Sequence, residues 1–96
     1  MNIPDKVKIG GLIYDVSIEK GVCHGLNKAY GTCDYEALEI SIEKDYSEQK
    51  IKQTFWHEVM HAIDNEYHAG LSEKQIDQMA CGLYSVIVDN PDIFKE

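Results

Sequence analysis

The pentapeptide His57-Glu58-Val59-Met60-His61 constrains this chain more than any other stretch. An H-E-x-x-H spacing gains its meaning on a helix, where positions i and i+4 stand one above the other on one face. At a rise of about 1.5 Å per residue, the two imidazoles lie roughly 6 Å apart along the axis. Two ring nitrogens can converge from there on one metal ion at about 2.0–2.1 Å each, which suits zinc. Glu58 follows the first histidine, so it points to one side of the metal, where a carboxylate can take a proton from a metal-activated water. Phe55, Val59, Ala62 and Ile63 form an apolar stripe at i, i+4, i+7 and i+8, which Trp56, Met60 and Tyr67 widen. Two ordinary histidines would fit a solvated face. This stripe instead predicts a mostly buried helix with the histidines as its narrow polar exception.

The rest of the chain must supply a scaffold for that helix. Ninety-six residues with 44% hydrophobic content are enough for one small domain with a modest core. There is no long apolar run, so no membrane span or membrane role is expected, and residues 1–6 carry no apolar signal segment. The three cysteines, Cys23, Cys33 and Cys81, make an odd number without a dense framework. Reduced thiols in a cytoplasmic setting are expected, with a Cys23–Cys33 disulfide as the alternative. The net charge is −8, and the nine basic residues are all lysines. Without arginine the chain lacks the favoured residue for bidentate phosphate and base contacts, and the lysines form no stripe, so no nucleic-acid partner is expected.

Residues 1–44 read as a sheet region and 45–96 as a helical, metal-binding region of a single domain. Val7-Lys8-Ile9 alternates and stops at Gly10-Gly11, a hairpin signal. Leu12 to Glu19 reads as a strand with Leu12, Tyr14, Val16 and Ile18 on one face. Gly21 to Gly31 reads as a loop whose His24 could reach a metal but is more simply solvated. Tyr30 to Asp34 reads as a third strand, Asp34-Tyr35-Glu36 as a turn, and Leu38 to Ile42 as a fourth strand with Leu38, Ile40 and Ile42 facing inward. Asp45 and Glu48 suggest a capping box opening a helix from about Tyr46 to about Tyr67, closed by His68-Ala69-Gly70. Ser72 and Gln75 form a second such box, opening a helix to about Val88 with Ile76, Met79, Ala80, Leu83 and Ile87 as its core face. The fold class is α+β: a small, mainly antiparallel sheet packed on the H-E-x-x-H helix, with a second helix C-terminal to it.

A catalytic zinc commonly has three protein ligands and one open position. Asp64 shares the histidine face but lies about 10.5 Å from His57 along the axis, so it suits a carboxylate behind an imidazole better than a ligand. The third ligand is expected from the second helix, where Asp77 and Glu73 flank the apolar face one turn apart. Asp77 follows the core residue Ile76, and is expected to point into the seam between the helices; Glu73 stands nearer the helix start and is the alternative.

These residues resemble a known family. His57-Glu58-Val59-Met60-His61 followed by Asp77-Gln78-Met79-Ala80-Cys81-Gly82-Leu83 looks like the ImmA/IrrE-type metallopeptidases, which belong to the zincins. Asp77 takes the place of the family's second-helix glutamate, Ala80 that of its alanine, Cys81 that of its asparagine and Leu83 that of its phenylalanine. Tyr30 to Ile42 also resembles the strand and turn of small phage- and prophage-encoded members. The resemblance implies a minimal zincin fold and a zinc metallopeptidase of a phage-type protein, with His57, His61 and Asp77 as metal ligands and Glu58 as catalytic base. It implies a protein or peptide substrate laid as an added strand along a sheet edge, with Leu38 to Ile42 as the candidate edge. Tyr84 is a candidate helper for the oxyanion. The other reading is a zinc-binding regulatory or interaction module that does not cleave. The oligomeric state is left open by the sequence.

Overall fold

A computed structural model describes residues 2–94; Met1, Lys95 and Glu96, at the ends of the two expected regions, lie outside the described residues. The chain runs β1 (Lys6–Ile9), β2 (Leu12–Glu19), β3 (Cys23–His24), β4 (Asn27–Lys28), β5 (Gly31–Asp34), β6 (Glu39–Glu43), α1 (Glu48–Tyr67) and α2 (Glu73–Asp89). Four strands form one sheet in the order β1-β2-β6-β5, and β3 and β4 form a separate two-stranded hairpin. The architecture is α+β, a mainly antiparallel sheet with two helices. β1 pairs antiparallel with β2 and β5 antiparallel with β6, while β2 and β6 run parallel.

Gly10 and Gly11 have φ of 57° and 87°. Positive φ at both central positions is the turn that matches the twist of a two-residue hairpin, and Ile9 pairs directly with Leu12 across it. A Cβ on Gly10 would also sit 2.2 Å from Cγ of Glu66, so this turn closes directly against the end of α1.

β2 follows the expected alternation only at its centre. Tyr14 is buried and Val16 half-buried, whereas Leu12 and Ile18 near the strand ends overhang the core and are exposed. The expected loop from Gly21 to Gly31 contains the β3–β4 hairpin. β6 starts at Glu39 and not Leu38, because Leu38 takes a left-handed φ of 57° as the chain leaves the turn. Ile40 and Ile42 are fully buried, as expected.

The start of α1 also differs from expectation. Ser47, not Asp45, is the N-cap, and its hydroxyl accepts from the Lys50 N–H at 3.2 Å. With the cap at Ser47 the third helical position is Lys50, which cannot reach back, so no capping box forms there. At α2 the box forms as expected: Ser72 accepts from the Gln75 N–H, and Gln75 accepts from the Ser72 N–H.

α1 buries two adjoining faces. Phe55, Val59 and Ala62 pack on the sheet through Ile9, Tyr14, Ile40 and Ile42. Met60, with Trp56 and Ile63, packs on Ile76 and Ala80 of α2. Fully burying a side chain of the Phe or Val kind contributes roughly 1.5–3 kcal/mol, so these contacts fix the helix between sheet and α2. Two expectations fail at the margins: Tyr67 and Met79 are exposed. Ile76, Ala80 and Leu83 already fill the seam, and Met79 falls on the shoulder of that stripe. No helix among the described residues is long and apolar enough to cross a membrane, and the three cysteines are free.

Candidate metal centre

The third face of α1 carries His57 and His61, one turn apart, with ring centroids 5.0 Å from each other. α2 runs back along α1 after a short connection. That connection is fixed by Asp64, whose backbone oxygen accepts from the Ala69 N–H and whose side chain accepts from the Leu71 N–H at 2.8 Å. Asp64 therefore anchors the connection between the helices, a role the sequence did not suggest. His68 ends α1 in the left-handed region, at φ 54°. The capping box at Ser72 then makes Glu73 the first residue of an ordered helix, a place where helix dipole and free N–H groups favour a carboxylate.

Glu73 reaches across the seam to both histidines. Its Oε1 lies 2.8 Å from His57 Nε2, and its Oε2 lies 3.0 Å from His61 Nε2. His57, His61 and Glu73 each offer a ligand atom within 4.8 Å of the others, so the group could hold a metal ion. Two donors bound tetrahedrally at about 2.0–2.1 Å stand about 3.3 Å apart, and the two histidine–carboxylate separations fall a few tenths of an ångström short of that. Two imidazoles and a carboxylate are also a known donor set for catalytic zinc. The residues fit the ion.

Asp77, the expected third ligand, is placed differently. Its Oδ1 lies 3.3 Å from His57 Nδ1, the ring nitrogen facing away from the trio. The structure brings Glu73 and not Asp77 together with both histidines. A register argument along α2 could not separate two acids one turn apart, because the choice depends on how far the connection lets α2 slide along α1. Burial holds the His61 imidazole below its ordinary pKa, against the raising effect of Glu73, and this favours the neutral form that ligates.

Glu58 is buried beside the trio on the sheet side of α1. Burial pushes its carboxyl up to about 7; His57 pulls it down and Glu73 raises it further. Its Cγ would lie 3.2 Å from a Cβ on Gly31, and Thr54 Cγ2 only 2.6 Å. A glycine at Gly31 thus lets β5 close directly onto the Glu58 turn of α1.

A groove of ≈ 870 Å³ runs along this face. α1 supplies its floor, α2 one wall, and Gly31, Thr32 and Cys33 of β5 the other. Among the described residues β5 is hydrogen-bonded only to β6 within the sheet, so it is the sheet edge that borders the groove. The expected edge, Leu38 to Ile42, is β6, held between β2 and β5, and cannot accept another strand.

Three groove residues were missed or underweighted in the sequence. His24 lines the groove from β3. Tyr35, read only as part of a turn, also lines it, and its phenol is pushed up to about 12 by burial and then by Cys33, Asp64 and Glu58. It stays a hydrogen-bond donor throughout the neutral range. Its signal in the sequence was position alone: an aromatic directly after the strand that opens at Gly31. Lys50 is the third. Tyr84, the expected oxyanion helper, is not among the groove-lining residues. No protein-family model matches the chain, and no curated protein or solved structure matches it either.

Proposed function

We propose that this protein is a zinc-dependent peptidase, with His57, His61 and Glu73 holding the ion and Glu58 acting as general base. One observation carries the reading: a His-His-Glu donor set, a buried carboxylate next to it, and an unpaired sheet edge all border one groove. The H-E-x-x-H resemblance to the ImmA/IrrE-type zincins supports the same activity, with the acidic ligand supplied by Glu73, one turn before the position the resemblance marks.

When bound, the ion would polarise the scissile carbonyl and acidify water. The chain's own residues do the rest. Asp77 orients the His57 ring through Nδ1, as carboxylates behind metal-binding histidines commonly do. β5 offers backbone N–H and C=O groups to an extended peptide, which aligns it along the groove. Glu58 accepts a proton from the attacking water and delivers it to the departing amine. Gly31 and Thr54 pack against Glu58 and limit where its carboxylate can sit.

The test is incubation of zinc-loaded protein with a sequence-diverse peptide mixture, with new termini read by mass spectrometry. Cleavage that disappears with a chelator and with Glu58→Gln is the expected outcome. Stoichiometric zinc without any cleavage would make the protein a metal-binding module and overturn the peptidase reading.

A further inference from the structure

The groove extends well past the metal group, and its far end has its own chemistry. Gln53 of α1 meets Cys81 of α2 there, 3.1 Å from Nε2 to Sγ. One turn earlier on α1, Lys50 lines the groove, its Nζ lying 4.2 Å from the centroid of the Tyr30 ring. Tyr30 packs in turn on Tyr46, with centroids 4.7 Å apart. A cation held over an aromatic face has a defined position. Here it is set by the Tyr30 ring at the end of the groove, with Tyr46 packed against that ring.

That cation has no carboxylate partner among the described residues. The acids nearest in sequence are engaged elsewhere: Glu48 pairs with Lys52 at 3.0 Å, and Asp45 faces Lys20 at 3.8 Å. In a chain of net charge −8, a half-buried lysine on a groove wall without a carboxylate partner among the described residues is unusual. Lys50 also stands in the first turn of α1, where the helix dipole opposes a cation and favours an anion. Dipole and ammonium therefore act together on whatever enters this end.

Lys50 precedes His57 by seven residues, about 10.5 Å along the helix. An extended peptide covers that distance in about three residues at 3.3 Å each. We propose that Lys50 forms an anion subsite, receiving a carboxylate of the bound peptide two to three residues from the bond that is cleaved. This inference rests on the peptidase reading of the groove. Lys74, the other groove lysine, follows Glu73 and stands at the metal end, so it does not serve the same position. The carboxylate can belong to an Asp or Glu side chain or to the end of the peptide chain.

The experiment separates these sources and does not require turnover. Zinc-loaded protein is titrated with short alanine peptides bearing a metal-binding hydroxamate at one end. Two series place the hydroxamate at the N- or C-terminal end. The third residue from it is Glu or Gln with blocked termini; in the N-terminal hydroxamate series a third arm has Ala with a free carboxylate. One series should show the acid bound about three- to fivefold more tightly than Gln, the scale of a half-exposed ion pair, with the difference shrinking as salt rises. Preference for Glu marks a side-chain site, and preference for the free terminus marks an exopeptidase-like site. Lys50→Gln should erase the preference at unchanged zinc content and Gln-peptide affinity, and Lys50→Glu should turn it toward a Lys peptide. Equal binding of acid and amide in both series, or an acid preference that survives in Lys50→Glu, overturns the subsite. Acid preference without any cleavage of the corresponding peptides would retain the subsite and reject the peptidase reading. Failure to take up zinc or hydroxamate rejects both.

Discussion

Glu73 and His57 meet across the helix seam at 2.8 Å, from Oε1 to Nε2, while the far nitrogen of the same ring faces Asp77 at 3.3 Å. One imidazole is thus flanked by two acids from successive turns of α2. They meet the ring at different nitrogens, and Glu73 also reaches His61 at 3.0 Å.

Zinc binding should separate the two acids. Removing a ligand costs more than removing a carboxylate that orients one, for which 10–100-fold in metal affinity is usual. Glu73→Ala should therefore weaken zinc by more than 100-fold, and Asp77→Ala by about 10–100-fold, in competition with a coloured chelator. The double change His57→Ala, His61→Ala should abolish binding. Normal binding by Glu73→Ala alongside severe loss in Asp77→Ala would restore Asp77 as the ligand.

Glu58 should act in chemistry and not in metal retention. It points to β5, with its Cγ against Gly31, and it is absent from the donor trio. Glu58→Gln should keep its zinc and its fold and lose peptide cleavage by roughly 10²–10⁴-fold, the scale of general-base loss. Zinc content by elemental analysis and turnover on the same sample check both halves; loss of zinc would make Glu58 a ligand.

The parts of this site that were legible in the sequence are those fixed by local geometry. His57 and His61 share a helix face whatever surrounds them, Gly10-Gly11 sets its own turn, and the Ser72–Gln75 box closes within four residues. The alternation in β2 and β6 located Tyr14, Ile40 and Ile42 for the same reason. What depends on long-range placement was not legible. Glu73 and Asp77 are both near the seam, and the hydrogen bond of Asp64 to Leu71, together with the left-handed His68, decides which one reaches both histidines. Strand order behaved likewise: the parallel pairing of β2 with β6 puts Leu38 to Ile42 inside the sheet and leaves β5 at the edge, and no periodicity within either strand encodes that. Asp45 and Ser47 are both good caps, and in the fold Ser47 takes the role while the Asp45 side chain faces Lys20.

Gly31 should be intolerant of even a methyl group. A Cβ there would lie 2.6 Å from Thr54 Cγ2 and 3.1 Å from the Ser41 carbonyl oxygen, so neither the helix side nor the sheet side can give way freely. Gly31→Ala should destabilise the fold by about 1–3 kcal/mol, the range for overpacking. Denaturant unfolding of the metal-free protein measures this. The partner substitution Thr54→Ser, which removes the methyl at 2.6 Å, should recover part of the loss. Wild-type stability in Gly31→Ala would show that β5 can move off α1.

The last prediction concerns the hairpin that carries His24 onto the groove. Its base is tied to the sheet by Glu43, a buried carboxylate at the end of β6. Glu43 Oε1 accepts from the Gly21 N–H at 2.9 Å and the Val22 N–H at 3.2 Å, and Oε2 accepts from the Asp45 N–H at 3.4 Å. Burial alone would raise the pKa of this group, but these backbone donors, with that of Lys44, outweigh it and leave the carboxyl below its usual value of 4.5. The folded state then binds fewer protons than the unfolded state wherever the two differ. The stabilisation is present in full above about pH 4.5, and is lost as pH falls through the lower folded value. Hydrogen exchange at Val22 and Ala29, whose backbone groups pair across the hairpin at 3.0 Å, should accelerate in that acid window relative to core amides of α1, after correction for intrinsic rates. Glu43→Gln keeps one oxygen for Gly21 and Val22 but turns an N–H₂ toward the Asp45 N–H, so its hairpin should be looser at pH 7 and insensitive to acid through this group. An acid response of the hairpin that is the same in wild type and Glu43→Gln would assign it to other carboxylates and remove Glu43 as its anchor.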